Sequence, residues 1–171
     1  MPVTPFASSV APFDEPFAGV LLDMDGTLID SIPAVVRSWL RWCEEYDVDP
    51  ARLTGFHGVS ASNVIAELLP EERRVQAVAR IREIEVNDVD GITLLPGSVD
   101  LLAALADGRV PTAIVTSCTT DLAEARIAAT GLALPAALVT ASDTERGKPW
   151  PDPWLEGARR LGVDPGDCVV V

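Results

Sequence analysis

The stretch that decides the fold reads GVLLDMDGTLIDS and covers residues 19–31. Its apolar start, Gly19 to Leu22, stops at an acid, as a buried parallel strand does at the edge of a sheet that carries an active site. Asp23 and Asp25 can both face the cleft once the strand unwinds, and Gly26 permits the sharp turn. Such a pair predicts a nucleophile that attacks phosphorus and an acid/base partner for the leaving oxygen and water.

A calcium-binding loop is the alternative interpretation of Asp-x-Asp-Gly. That loop needs further oxygen ligands and a later glutamate at fixed spacing, and these are absent after Asp25. The phosphoryl-transfer interpretation is therefore preferred.

Three helical patterns follow this stretch with no strand between them. The first starts after Ser31 and reaches Tyr46, the second follows Ser60 and ends before Pro70, and the third runs from Glu71 to about Val89. Because their neighbours differ in pattern, residues 32–93 are predicted to form a helical cap inserted into the fold.

Strands and helices alternate in the last part of the chain. Strands are predicted at 112–116, 137–140 and 168–171, and helices at 98–108 (capped by Ser98), 121–130 and 153–161. This alternation predicts an α/β fold with a Rossmann-like parallel sheet, built from residues 17–31 and 94–171. Residues 1–16 carry four prolines and no periodic pattern, which predicts a loose tail.

Two later segments place polar groups beside the aspartates, because ligands bind outside the carboxyl ends of parallel strands. Thr116 and Ser117 end one strand, where hydroxyls and backbone N–H groups can cradle phosphate, although such a pair is also a common helix cap. Lys148, the only lysine of the sequence, is held before Pro149 and can neutralise the nucleophile and the phosphoryl oxygens; a solvated surface lysine is the alternative.

In chain order, DMDGTLIDS at 23–31, Thr116 with Ser117, and KPWPD at 148–152 resemble the first three motifs of the haloacid dehalogenase superfamily. The resemblance implies that Asp23 forms an aspartyl-phosphate and that Asp25 is the general acid/base. It also implies a Mg²⁺ site at Asp23 and Asp25, the latter through its backbone carbonyl, and phosphate contacts from Thr116, Ser117 and Lys148.

The predicted cap contains His57-Gly58-Val59-Ser60, which resembles a substrate-specificity loop of sugar-phosphate and polyol-phosphate phosphatases. His57 and Gly58 are therefore candidate specificity residues, with a locally bonded loop histidine as the alternative. Relatives often carry an arginine shortly after that glycine. Here Val59, Ser60 and Ala61 occupy those places. This disfavours a mutase, because a bisphosphate intermediate needs a second phosphate-binding group.

The function expected from these features is Mg²⁺-dependent hydrolysis of a small sugar or polyol phosphate monoester through an aspartyl-phosphate. A hexose-phosphate mutase similar to β-phosphoglucomutase is one alternative, since it shares the core residues. A non-catalytic phosphate-binding fragment is another, because the acidic pair of the family's fourth motif would follow residues 168–171 and the sequence stops at Val171.

Composition limits the partners. The chain has 171 residues, is 48% hydrophobic and carries a formal net charge of -13. It can bury a sizeable core, and its charge disfavours nucleic acid and anionic membranes, which leaves a small phosphorylated metabolite as the expected partner. Three cysteines without a CxxC pair and an N-terminus without a secretory signal favour a cytoplasmic setting. No oligomeric state is predicted.

Overall fold

The computed structural model describes residues 17–53 and 60–171. The predicted tail at 1–16 and the predicted specificity residues His57 and Gly58 lie outside the described residues. The elements, in chain order, are β1 Gly19–Leu22, β2 Ile29–Asp30, α1 Ile32–Tyr46, α2 Ala61–Leu68, α3 Glu71–Asn87, β3 Thr93–Leu94, α4 Ser98–Asp107, β4 Thr112–Val115, α5 Thr120–Thr130, β5 Ala137–Val139, α6 Asp152–Leu161 and β6 Cys168–Val170. Short 3₁₀ turns cover Pro50–Leu53 and Pro165–Asp167.

The main sheet of the described residues has the strand order β5-β4-β1-β6, and all its neighbours are parallel. The strand that ends at Asp23 is central: Leu21 pairs with Ala113 of β4 on one side and with Val170 of β6 on the other. All four residues of β1 are buried, which explains why they read as one continuous apolar run. The predicted α/β fold with a parallel sheet is confirmed.

A second, two-stranded sheet was not predicted. In it Ile29 pairs with Leu94 and Asp30 with Thr93 in antiparallel register. The ribbon lies where the chain leaves for the three helices and where it returns. Strands of two residues are too short to show an alternating pattern, so the sequence alone did not reveal them.

Helices α1, α2 and α3 share a hydrophobic cluster of their own, separate from the cluster under the sheet. Its centre is Trp42, which is fully buried and donates from Nε1 to the Ala77 carbonyl at 3.0 Å. We refer to residues 32–93 as the proposed cap, whose limits remain a prediction.

Two predicted helix starts differ in detail. Gly97, with φ of 88°, is the N-cap residue of α4, whereas Ser98 is the first helical residue and its hydroxyl donates to the Leu28 carbonyl at 2.8 Å. Capping by Ser98 was therefore wrong. Ser31 does occupy the N-cap position of α1, but its hydroxyl makes no capping hydrogen bond. None of the described helices is long and apolar enough to cross a membrane.

Candidate active site

Lys148 and Asp23 meet at the carboxyl end of β1. Lys148 Nζ donates to Asp23 Oδ1 at 2.7 Å and to the Val115 carbonyl, at the end of β4, at 2.8 Å. Asp23 itself is held in line with the sheet, because its backbone N–H donates to the Val171 carbonyl at 2.8 Å. The ammonium thus bridges two adjacent strand ends and neutralises the predicted nucleophile.

The loop that carries Lys148 is braced by aromatic and ionic contacts. Lys148 Nζ lies 4.1 Å from the centroid of the Trp154 ring. Arg146 pairs with Asp152 at 2.9 Å and stacks over Trp150 at 4.8 Å. Because the contacts of Arg146 are local to the loop, they restrict the positions open to the Lys148 ammonium.

Asp25 has a different set of partners. Its Oδ1 accepts from Ser31 Oγ at 2.6 Å and from Arg126 Nη1 at 2.7 Å. Its Oδ2 accepts from Thr116 Oγ1 at 3.4 Å and from Cys118 Sγ at 3.1 Å. Both oxygens of the predicted acid/base are therefore held by protein groups.

The predicted phosphate-binding pair splits between two environments. Thr116 is 2% exposed, and its hydroxyl lies between Asp25 and the Cys118 N–H, which donates to it at 3.1 Å. Thr116 Oγ1 therefore has two protein partners, Asp25 and the Cys118 N–H. Ser117 is exposed at the same strand end. Ser117 is therefore the more accessible candidate phosphate contact of this pair.

Cys118 lies in the core cluster. Its backbone N–H donates to Thr116 Oγ1. Burial, reinforced by the charge of Asp25, raises the pKa of Cys118 to about 12. The residue therefore stays a neutral thiol, able to donate to the carboxylate.

Sequence reasoning missed Arg126 and Glu85. Arg126, on α5, is 4% exposed, and its Nη2 donates to Glu85 Oε1, on α3, at 3.4 Å. A signal was present, because Arg126 is three residues after Ala123 and four after Leu122, both buried on the same face of α5. Glu85 similarly follows buried Ile81 by four residues on α3. A charge on an apolar helical face indicates a buried partner.

Burial has opposite effects on the two missed groups. Burial raises the pKa of Glu85 above its ordinary value. The positive charge of Arg126 lowers this pKa and the negative charge of Asp25 raises it, but burial has the largest effect. Burial lowers the pKa of Arg126, but the nearby carboxylates of Asp25 and Glu85 raise it. The pKa of Arg126 therefore lies above its ordinary value. The guanidinium is therefore a permanent cation beside Asp25.

The described residues contain two oxygen groups that suit the predicted Mg²⁺ site. One is the carboxylate of Asp23. The other is the Asp25 carbonyl, since the hydrogen bonds of the turn run from Gly26 N to Ile29 O and from Ile29 N to Met24 O and leave it out. Within ranges 17–53 and 60–171 no cluster of three or more His, Cys, Asp or Glu could hold a metal. Two oxygens fit Mg²⁺, which commonly binds through one or two protein groups plus water and substrate phosphate.

A cavity of about 530 Å³ lies elsewhere, between α4 and the segment after α5. Its lining is mostly apolar, includes Leu102 and Leu132, and contains none of the predicted site residues. The predicted site residues therefore lie at the strand ends and not in this cavity.

Comparison with known proteins identifies the class. Residues 17–171 match the family described as haloacid dehalogenase-like hydrolase. The chain therefore belongs to the haloacid dehalogenase-like hydrolases. The family predicted from the three motifs, and with it the prediction of a hydrolase, is confirmed.

Among its relatives is Hexitol phosphatase A of Escherichia coli (strain K12), 41% identical over 157 residues that span 90% of this chain and 73% of the relative. Fructose-1-phosphate phosphatase YqaB of the same organism is 33% identical over 164 residues, 91% of this chain and 86% of the relative. The crystal structure of a hydrolase from Pseudomonas syringae matches with a TM-score of 0.80 at 27% identity, covering 91% of this chain and 74% of that one. Both named relatives are phosphatases, which agrees with a hydrolase that acts on phosphoric monoesters.

Proposed function

We propose that this protein hydrolyses a small sugar or polyol phosphate monoester, with Mg²⁺, through an aspartyl-phosphate on Asp23. The observation that carries the proposal is the 2.7 Å contact between Lys148 Nζ and Asp23 Oδ1 at the end of the central strand. An ammonium at this place can neutralise both the attacking carboxylate and the incoming phosphoryl oxygens. The substrate class is supported by the names of the relatives, of which one acts on hexitol phosphates and one on fructose 1-phosphate.

In the first step a carboxylate oxygen of Asp23 forms a bond to phosphorus while the bond from phosphorus to the sugar oxygen breaks. The leaving oxygen takes a proton from Asp25. In the second step a water oxygen bonds to phosphorus, the bond from Asp23 to phosphorus breaks, and the water gives a proton to Asp25. Both carboxylates are then restored to their starting state.

The other groups bind and orient. The exposed hydroxyl of Ser117 and the ammonium of Lys148 hold phosphoryl oxygens, while Thr116 and Ser31 hold Asp25. Mg²⁺, held by the Asp23 carboxylate and the Asp25 carbonyl, would supply positive charge next to the transferring phosphoryl group. The proposed cap would exclude water and select the substrate, with His57 and Gly58 as the proposed specificity residues. A cytoplasmic setting remains part of this prediction.

The test is a phosphatase assay of the full chain on hexitol phosphates, fructose 1-phosphate and glycerol phosphate, with and without Mg²⁺. Asp23→Asn should abolish turnover on every substrate, because the amide is not a nucleophile at phosphorus. Asp30→Asn is the matched control, since Asp30 accepts from the Ile32 N–H at 3.2 Å through an oxygen that asparagine retains. Turnover that survives in Asp23→Asn would rule out the covalent mechanism.

Product analysis separates the hydrolase from the mutase. With glucose 1-phosphate, free phosphate as the product supports hydrolysis, whereas an isomeric sugar phosphate supports the mutase. Binding of phosphate without turnover in any of these assays would instead favour the non-catalytic alternative.

A further inference from the structure

Arg126 is a buried cation that joins three elements. It projects from α5, its Nη1 contacts Asp25 Oδ1 at 2.7 Å and Cys118 Sγ at 3.1 Å, and its Nη2 contacts Glu85 Oε1 at 3.4 Å. The side chains of Arg126 and Glu85 are 5% and 12% exposed, so these contacts are shielded from solvent. Asp25 precedes the ribbon, Cys118 follows β4, and Glu85 lies on α3 of the proposed cap.

Stability alone is a poor explanation for this arrangement. Apolar side chains of similar volume often stabilise a protein as well as a buried ion pair does, because desolvation offsets the attraction between the charges. Among the described residues, the buried Nε of Arg126 also has no hydrogen-bond partner, which is a further cost. A buried Arg126 that is retained despite these two costs indicates a role in holding Asp25.

This role follows from what Asp25 must do in the proposed reaction. A general acid/base has to lie within hydrogen-bond reach of the leaving oxygen and of the attacking water. Ser31 and Arg126 both donate to Oδ1, so together they set where the carboxylate points. The hydroxyl of Ser31 can rotate, whereas the guanidinium of Arg126 is planar and projects from a helix packed in the core. Arg126 therefore holds the Asp25 carboxylate more rigidly than Ser31 does.

We propose that Arg126 is a positioning residue for the acid/base carboxylate of Asp25, and that Glu85 of the proposed cap orients Arg126. This inference rests on the proposed function. It places a direct ionic link between the cap and the residue that moves protons, so the two reaction steps depend on a group that sequence motifs do not mark.

The link makes a distinct kinetic prediction. A sugar or polyol oxygen is a poor leaving group and needs the proton of Asp25, whereas p-nitrophenolate leaves without one. Misplacing Asp25 should therefore slow both steps with a sugar phosphate, but only the second step with p-nitrophenyl phosphate. With that substrate, an Arg126→Met variant should release a burst of p-nitrophenol equal to the enzyme present, followed by slow turnover.

The experiment compares Arg126→Met, Arg126→Lys and Glu85→Gln with the wild-type chain on both substrates. Arg126→Met should lower kcat on the best sugar phosphate by on the order of 10²-fold with little change in KM, in line with the usual size of acid/base contributions. Arg126→Lys should restore part of that loss, and Glu85→Gln should cause a smaller loss in the same direction, because it removes the charge and keeps the shape.

The matched control is Arg82→Met. Arg82 also joins α3 to α5, through Asp121 at 2.8 Å, but the pair is exposed and does not touch Asp25. Equal losses in Arg82→Met and Arg126→Met would overturn the inference, since both would then act only by clamping the helices. So would a rise in KM alone, or a normal second step in Arg126→Met. If Arg126→Met does not fold, Arg126→Lys and Glu85→Gln decide by the same criteria.

The activity of the wild-type chain distinguishes failure of the Arg126 inference from failure of the proposed function. Wild-type turnover with unchanged kcat in the Arg126 and Glu85 variants overturns the inference and leaves the proposed function standing. A wild-type chain that hydrolyses none of the phosphates overturns both.

Discussion

Asp23 and Asp25 are separated by one residue, yet each binds a different cation at 2.7 Å: Asp23 binds Lys148, and Asp25 binds Arg126. Met24, between them, is fully buried under the sheet, so the two carboxylates leave the strand end towards separate partners. The lysine comes from an exposed loop and the arginine from a buried helical face. Each of the two neighbouring carboxylates therefore has its own cationic partner.

Lys148→Met should lower kcat on a sugar phosphate by about 10²- to 10³-fold, the size found when one charge-stabilising donor is removed from an active site. The contact at stake is the 2.7 Å bond to Asp23 Oδ1. Steady-state kinetics of the purified variant measures it. Arg146→Met is the matched control, since Arg146 braces the same loop and pairs with Asp152, away from Asp23. A loss of equal size in the control would show that loop order, and not the ammonium, matters.

Trp154→Leu should lower kcat/KM by about 3- to 30-fold, because cation–π contacts contribute roughly 0.5–2 kcal/mol. The Trp154 ring lies 4.1 Å from Lys148 Nζ and helps to fix it, and Trp154→Phe should retain most of the activity by keeping an aromatic face. Trp150→Leu serves as control, since Trp150 is exposed and stacks on Arg146 instead. Indistinguishable kinetics for Trp154→Leu and wild type would contradict this role.

The link between α1 and α3 should weaken in acid. Hydrogen bonds from Arg80 and Arg41 lower the pKa of Glu45 from 4.5 to about 2. A carboxyl whose pKa is lower in the folded state stabilises the fold above its unfolded pKa and loses that effect as pH falls towards the folded one. Glu45→Gln should therefore melt below wild type at pH 7, and the gap should close between about pH 4.5 and pH 2.

The measurement for Glu45 is thermal unfolding followed by circular dichroism across that pH range, at low salt because the pair is exposed. Glu44→Gln is the control: Glu44 is the exposed neighbour of Glu45 and takes part in no ion pair among the described residues. A gap between wild type and Glu45→Gln that stays constant down to pH 2 would show that the carboxylate does not act through its charge.

Gly157→Ala should destabilise the fold although alanine favours helices. A Cβ at Gly157 would lie 3.0 Å from Val115 Cγ2 and 3.1 Å from Leu21 Cδ2, both in buried strands. We expect a net loss of about 1–2 kcal/mol in unfolding free energy, from overpacking partly offset by helix propensity. Urea unfolding measures it, with Gly147→Ala as control because a Cβ there meets nothing within 4 Å. A Gly157→Ala chain as stable as wild type would show that the strand side chains can move to accommodate the added Cβ.

The strand and helix pattern was predictable from the sequence to within one or two residues for the main elements, because most of them are bounded by glycine, proline or a capping residue. β1 begins at Gly19 and its apolar run stops at Asp23, and α5 ends at Gly131, whose φ is 67°. The pairing of Ile29 with Leu94 was not predictable, because it joins residues on either side of a long insertion and spans only two residues.

The sequence by itself determined the parallel fold, the family and the candidate residues Asp23, Asp25, Ser117 and Lys148, since local patterns and ordered motifs carry that information. The tertiary structure alone decided which cation serves which carboxylate, that Thr116 faces Asp25, and that Arg126 and Glu85 converge on it. Those relations join residues that are far apart in the chain, by 125 positions in the Lys148–Asp23 contact and by 101 in the Arg126–Asp25 contact. No local pattern encodes a contact between residues so far apart in the chain. The contacts around Asp25 form only when α3 and α5 pack beside the strand ends and bring their buried charges together.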